Sequence, residues 1–351
     1  MTESAMPLIR PMTLAELLDR AIRLYRQNFL KFVGIFAIPY IPLMLIQAAL
    51  SFFSATAIFN QASTNPGEFP FNQDVVNAMF GSFFFLIVQF ILVQGLATAA
   101  LTRAIANNYT GKPISILDSY RALSNSGLKL ILALLFVFIL LFLLVIWMFI
   151  PCVGWFSGPG MLFFLGLVVS PLIAPVITLE KLGVISSVRR AWDLARSRFW
   201  WLIGTAFVLT LLGQLIVSGP VYLLNFILQA VASSLSTTVE QQLALTSIAQ
   251  TLTTTFLSLL YVPLQLTVMT VVYFDLRARS EGLDLAMQLT VSTGSENAAL
   301  SLPDISEKAP SPLITSLDIG RFALLSLAGI AFYVLIFTVM FAVLGLAMSG
   351  F

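Results

Sequence analysis

The side chains that most often carry chemistry are nearly missing from this chain. It has no histidine and one cysteine, Cys152. Haem, chlorophyll-type pigments and zinc sites therefore lose their commonest ligand, and histidine-based acid–base catalysis is excluded. A single cysteine allows no internal disulfide, thiolate cluster or Cys-x-x-Cys redox pair. Set in an apolar run, Cys152 reads as a small packing residue. No cofactor is expected. What remains is charge: a block of Asp275, Arg277, Arg279, Glu281 and Asp284, and a pattern written twice. RAIRLYRQNFLKFVG at 20–34 and RAWDLARSRFWWLIG at 190–204 both fit R-A-x-x-L-x-R-x-x-F-x-x-x-x-G, 170 residues apart. A carboxylate such as Asp275 or Glu281 can serve alone as a general base on a lipid. No nucleophile or metal-ligand cluster accompanies them, so an enzyme is not expected.

The surroundings of these charges are apolar. Of 351 residues 59% are hydrophobic and 10% charged, with a mean hydropathy of +0.97. Soluble domains carry roughly 25% charged residues, so the composition demands an all-α integral membrane protein. A net charge of +2 gives no reason to expect nucleic acid as a partner. Runs near the 20 residues needed to cross a bilayer fall at about 32–56, 79–102, 130–152, 160–180, 199–218, 255–274 and 323–348. Pro39, Pro42, Pro171, Pro175 and Pro263 interrupt them, which predicts kinks. The stretch 219–254 is less apolar and stays open between an outer hairpin and long, protruding spans. An outer loop is expected at 61–75, marked by Asn65-Pro66-Gly67.

Lysine and arginine sort cleanly between the runs. Arg10, Arg20, Arg23, Arg26 and Lys31 precede the first, and Arg103, Lys112, Arg121 and Lys129 separate the second from the third. Lys181, Arg189, Arg190, Arg196 and Arg198 separate the fourth from the fifth, and Arg277, Arg279, Lys308 and Arg321 precede the last. These are all 18 of them. The positive-inside rule then places the N-terminus in the cytoplasm and the C-terminus outside, with no cleavable signal peptide expected. No charge lies near the middle of a predicted span, which disfavours ion-coupled transport. The amides Gln47, Gln89, Gln94, Gln214, Asn225 and Gln265 read as interhelical hydrogen-bonding groups.

On a helix, the first copy of the doubled pattern sets Leu17, Leu18, Ala21, Ile22, Leu24 and Tyr25 opposite Arg20, Arg23 and Arg26. Thr13 and Glu16 supply a capping box at its start. The second copy sets Val188, Ala191, Trp192, Ala195 and Phe199 opposite Arg189, Arg190, Asp193 and Arg196. Both are expected to lie in the inner interface, with Gly34 and Gly204 allowing close helix approach. A weaker copy, PISILDSYRALSNSGLKLI at 113–131, keeps Arg121-Ala122 and a Ser115/Asp118 cap. The expected architecture is a six-span body of three amphipathic-helix-plus-hairpin units (2+2+2), with an appended seventh C-terminal transmembrane helix. Its parts are a cytoplasmic amphipathic segment at 1–31, the body at 32–287, a cytoplasmic linker at 288–320 and the last helix at 321–351.

Three stretches, TLAELLDRAIRLYRQNF at 13–29, GVISSVRRAWDLARSRFWWLIG at 183–204 and VVYFDLRARSEGLDL at 271–285, together resemble a bacterial multi-span family. It is named for the membrane domain of glycerophosphoryl diester phosphodiesterase. The resemblance covers about 10–287 and rests on Leu17, Asp19, Arg20, Tyr25 and Phe29; on Ala191, Trp192, Arg196, Phe199 and Gly204; and on Tyr273, Asp275, Leu276, Arg277, Glu281, Gly282 and Asp284. It implies the membrane domain only. The phosphodiesterase barrel is expected to be absent, having neither room nor histidine here, so the enzymatic name does not transfer.

The expected site lies where the third stretch meets the amphipathic helices, and two readings of it stand. In the first, Asp275 or Glu281 bridges to Arg190, Arg196 or Arg20 as a structural clamp. Alternatively Arg20, Arg26, Arg190, Arg196 and Arg277 hold an anionic phospholipid headgroup. The expected function is a non-catalytic scaffold or accessory subunit, with phospholipid as partner and other membrane subunits met through the 321–351 helix. The alternative is a transporter or lipid-handling permease.

Overall fold

The computed structural model describes residues 12–64, 73–109, 113–124, 126–180, 182–234, 239–282, 312 and 314–349. The loop expected at 61–75 and the linker at 288–320 lie mostly outside these residues. Ten helices follow in order among the described residues: α1 (Leu14–Gln27), α2 (Phe29–Thr64), α3 (Gln73–Phe90, continuing to Tyr109), α4 (Ile116–Arg121), α5 (Gly127–Trp147), α6 (Val153–Phe163, continuing to Glu180), α7 (Val184–Ser197), α8 (Phe199–Gly213, continuing to Ser234), α9 (Val239–Glu281) and α10 (Ser316–Ser349). Three of them pass through a π-helical turn: Ile91–Ala97 in α3, Phe164–Val169 in α6 and Gln214–Ser218 in α8.

Among the described residues six helices are long and apolar enough to cross a membrane: Phe29–Ser51, Val75–Tyr109, Gly127–Trp147, Val153–Glu180, Phe199–Val231 and Thr246–Glu281. Of the two alternatives for 219–254, the described residues fit long spans, because α8 continues to Ser234 and α9 is helical from Val239. The protein is thus an all-helical, multi-pass membrane type.

The start of α1 follows from its cap. The Thr13 N–H donates to Glu16 Oε2 at 2.9 Å, and the Glu16 N–H donates to Thr13 Oγ at 3.4 Å, so two otherwise orphaned donors are satisfied. The helix buries Leu17, Ala21, Leu24 and Tyr25. The Tyr25 hydroxyl donates to the Leu260 carbonyl at 2.7 Å, and burial pushes its pKa up to about 12. Likewise the Tyr120 hydroxyl of α4 reaches the Ile35 carbonyl at 2.6 Å, its pKa also raised by burial. Each short amphipathic helix is thereby pinned to a neighbouring span by a phenol.

Spans pack in a regular circuit. Helix α2 lies along α9, α5 along the π-helical turn of α3, and α8 against the π-helical turn of α6. The ends of α3 and α6, Thr98–Tyr109 and Ser170–Glu180, pack on each other and on α9 in the centre. Small hydroxyl residues make this close approach possible: Thr98, Thr102, Ser170, Thr178, Thr267 and Thr270 are all buried. Their hydroxyls donate back to carbonyls of their own helix, as Thr102 does to Thr98 (2.8 Å) and Thr270 to Leu266 (2.9 Å). These hydroxyls are thereby satisfied within their own helices. Thr102 and Thr270 also meet across the two helices at 3.4 Å. Hydroxyls, not the amides expected from sequence, form the polar seam; Gln94 Oε1 is buried with no hydrogen-bond partner.

The last helix is not set apart from the body. Helix α10 runs along Val153–Phe163 of α6, and the Gly160 N–H donates to Ser326 Oγ at 2.8 Å. A Cβ at Gly160 would lie 2.3 Å from the Phe322 carbonyl oxygen, so only glycine permits this approach. Phe322 is buried among Phe164, Trp192 and Phe199, with ring centroids 5.6, 5.9 and 5.7 Å away. The two motif glycines divide: a Cβ at Gly34 would meet the Ile116 side chain at 2.9 Å, whereas Gly204 has nothing within 4 Å. Cys152 is exposed, with φ of 63°, in the turn between α5 and α6, and is not a packing residue.

The contrast between glycines gives a test. Gly160→Val is expected to destabilise by about 1–3 kcal/mol, the usual cost of overpacking, read from thermal unfolding in detergent. Gly204→Val, facing open space, is expected to change stability by less than about 0.5 kcal/mol.

Candidate functional site at the arginine-rich end

One end of the bundle gathers the charged side chains, and they form three groups. The first surrounds Arg277, whose side chain is only 2% exposed. Its Nε donates to Glu281 Oε2 at 2.8 Å, and one terminal nitrogen donates to the Tyr273 hydroxyl at 3.2 Å. Tyr273 in turn donates to Glu180 Oε1 at 2.8 Å. Arg190 of α7 closes the circle, donating to Glu180 Oε2 at 3.1 Å and pairing with Glu281. Two arginines face two carboxylates, so the group is neutral as a whole. It ties α7 to the ends of α6 and α9.

The spacing explains how. Tyr273, Arg277 and Glu281 stand at i, i+4 and i+8 on α9, one face over two turns. Glu180 is the last residue of α6, and α7 starts four residues later at Val184, turning Arg190 back towards it. A buried pair contributes little net stability once desolvation is counted, but removing one partner leaves an uncompensated charge.

The second group is centred on Asp275, which is fully buried. Its Oδ1 accepts the Met12 N–H at 2.7 Å and its Oδ2 accepts Arg279 Nε at 2.9 Å. Arg279 also donates to the Met12 carbonyl at 2.6 Å. An i, i+4 acid–base pair on α9 thus holds both polar groups of one backbone residue, just before the cap of α1. The third group joins α10 to α7. Arg196 lies 3.3 Å from Asp318, a buried carboxylate that also caps α10 by accepting from the Thr315 N–H at 2.9 Å. Arg196 donates as well to the Pro312 carbonyl at 2.9 Å, and Arg321 lies 3.5 Å from Asp318.

The residues expected from sequence are therefore distributed among distinct places. Arg190, Arg277 and Glu281 meet in the first group. Asp275 is close by, but its carboxylate is taken by Arg279 and Met12, not by the amphipathic-helix arginines expected for it. Arg196 meets α10. Arg20 lies over the Tyr109 ring, 5.2 Å from its centroid. Arg26 is exposed on the last turn of α1. Asp284 lies outside the described residues. Sequence reading missed Glu180 and Asp318, two acids that make cross-helix pairs beside Glu281. Counting lysines and arginines for orientation passes over acids at the same end. The usable signal was a lone Glu closing an apolar run ten residues before Arg190.

Beside the second group is a cleft of about 350 Å3, lined by Met12, Glu16, Asp19, Arg20, Arg23, Leu24, Gln27, Asn108 and Tyr109. Among the described residues no three of the His, Cys, Asp and Glu side chains group closely enough to hold a metal ion.

Two substitutions probe this arrangement. Arg277→Met leaves Glu180 and Glu281 facing each other, and is expected to cost about 3–5 kcal/mol in reversible unfolding. Asp275→Ala releases the backbone at Met12, so amide exchange across 14–27 is expected to speed up while exchange in 199–213 is unchanged, as read by mass spectrometry. No known protein family, curated protein or solved structure matches the chain, so a functional reading rests on the geometry of this end of the bundle.

Proposed function

We propose that the chain is a non-catalytic scaffold or accessory subunit of a bacterial cytoplasmic membrane. In this reading its arginine-rich end faces the cytoplasm and contacts anionic phospholipid. One observation carries this: the acids singled out from the sequence as possible bases, Asp275 and Glu281, are bound to partners within the protein itself. Asp275 holds Met12 and Arg279, Glu281 holds Arg277 and Arg190, and Glu180 holds Tyr273 and Arg190. Among the described residues Arg26, Lys31, Arg121 and Lys129 are exposed at the same end, where lipid phosphates would lie.

The body is read as three units: α1 to α3, α4 to α6 and α7 to α9. Each starts with a short helix carrying the arginine motif or its weaker copy. Support comes from the packing circuit, in which the first span of each unit rests on the second span of the unit before it, and α2 closes the ring on α9. Helix α10 starts at the arginine-rich end. At 34 residues it is about 50 Å long, more than the roughly 30 Å of a bilayer core, and it is taken as a seventh span that ends outside. Its outward face is the proposed contact for other membrane subunits. The resemblance to the membrane-domain family is part of this proposal. Arg196, Tyr273, Asp275, Arg277 and Glu281, on which it partly rests, all sit in ion-pair groups, as expected of a pattern set by assembly rather than by catalysis.

A permease is the second reading, favoured by the π-helical turns in three spans. Such turns recur at functional sites, and one of them holds the unpartnered Gln94.

The test is to extract the protein with its surrounding membrane and weigh what it retains. Anionic phospholipid or partner subunits are expected with the wild-type chain. Combining Arg26→Gln, Lys31→Gln, Arg121→Gln and Lys129→Gln is expected to reduce retained anionic lipid several-fold without loss of fold. A bare monomer that retains neither lipid nor partner would refute the reading.

A further inference from the structure

The two copies of the doubled motif meet different chemistry at equivalent positions. In the second copy Arg190 is enclosed by Glu180 and Glu281, which stand at the ends of α6 and α9. Its equivalent in the first copy is Arg20. Across the cleft from α1, which itself packs along α9, the end of α3 offers Asn108 and Tyr109 instead, an amide and a phenol. The result in the second copy is a filled ion-pair group, and in the first it is the 350 Å3 cleft. That volume falls within the roughly 300–1,000 Å3 of small-ligand sites.

The lining is mixed in sign. Glu16 and Asp19 bring two negative charges, Arg20 and Arg23 two positive, and Gln27, Asn108 and Tyr109 bring uncharged hydrogen-bond donors. A simple anion entering here meets two carboxylates, and a simple cation meets two guanidiniums. A ligand that carries both signs a few ångströms apart gains from each. The Asp19–Arg23 pair is available for exchange, since both side chains are 68% exposed. A pair so exposed contributes at most about 1 kcal/mol, and opening it frees a guanidinium for a phosphate and a carboxylate for an ammonium. One turn beyond Gln27, α2 begins with exposed Phe29 and Leu30, apolar surface suited to the first carbons of an acyl chain.

We propose that this cleft binds a phosphoethanolamine group, a phosphate joined to a primary ammonium, as the headgroup of a membrane phospholipid. The inference rests on the lipid-contacting reading above and adds to its anionic lipids one zwitterionic headgroup, bound at one place. Arg23 and the donors of Gln27, Asn108 and Tyr109 take the phosphate oxygens, and Asp19 accepts from the ammonium. A choline headgroup has no N–H to give Asp19, and a glycerol headgroup has no positive charge.

The experiment titrates the delipidated full chain in detergent micelles with phosphatidylethanolamine, phosphatidylcholine or phosphatidylglycerol, and counts bound lipid by native mass spectrometry. Phosphatidylethanolamine is expected to bind about tenfold tighter than the other two, the step given by one charge-assisted contact. Asp19→Asn is expected to abolish that preference, and Arg23→Gln to weaken all three lipids. Both positions are exposed, and an unchanged unfolding transition checks that the variants fold. Soluble glycerophosphoethanolamine is expected to compete only weakly. Competition at equal affinity would reassign the cleft to a soluble ligand and overturn the lipid claim. Equal binding of the three lipids, or a preference that survives the Asp19→Asn, Arg23→Gln double variant, would also overturn it. Tighter phosphatidylglycerol binding that is lost with Arg23→Gln would sink the headgroup assignment yet leave the broader lipid reading intact. Retention of no lipid at all would sink both.

Discussion

Burying an arginine is costly wherever it is done, and Arg277 is buried almost completely beside an apolar bundle. The rest of the architecture depends on how that charge is met. Two carboxylates, a phenol and a second arginine are brought to it from α6, α7 and α9, and the sum of formal charges is zero. Such a group holds only if all its members arrive together, since any one alone in a low-dielectric setting is unfavourable. It therefore acts less as glue than as a condition on assembly. The α6–α7 turn and the last turn of α9 must reach their native positions for any of the charges to be tolerated.

The same logic extends along this end of the molecule. The Asp275–Arg279 pair fastens the backbone ahead of α1, and Asp318 brings the start of α10 to Arg196. Helices α1 and α7 are thus positioned by acids from other helices, and α10 by an acid of its own that meets Arg196. Farther from this end, charges give way to hydroxyls that bond within their own helices, and large apolar side chains such as Leu45, Phe84 and Leu215 face outward. The division suits a bilayer: polar specificity is concentrated where water and headgroups are near, and shape packing takes over where they are not.

Much of this was legible in the letters, and the reasons are physical. The capping box at Thr13 and Glu16 and the apolar face of α1 are local, so they appear in sequence as they do in space. Apolar runs mark spans because backbone polarity must be satisfied inside a helix in lipid. The i, i+4 spacing of Arg277 and Glu281 was likewise visible. Glu180 and Asp318 were not picked out, because their roles come from partners that chain spacing does not bring together. The close docking of α10 hinges on Gly160 admitting the Phe322 carbonyl, a steric fact with no periodic signature. For the same reason Gly34 and Gly204, equivalent in the motif, proved unequal in space. The cleft escaped notice because it is defined by Asn108 and Tyr109, ordinary residues until α1 lies across them.

The central claim is that the arginines of this end divide into a buried set that assembles the helices and an exposed set left for the membrane. A double-mutant cycle on Arg190→Gln and Glu281→Gln, read as unfolding free energy in mixed detergent, tests it most directly. Coupling of about 1–3 kcal/mol, the range for groups sharing one network, is the predicted result. Coupling near zero, with both single variants as stable as the wild-type chain, would contradict the account.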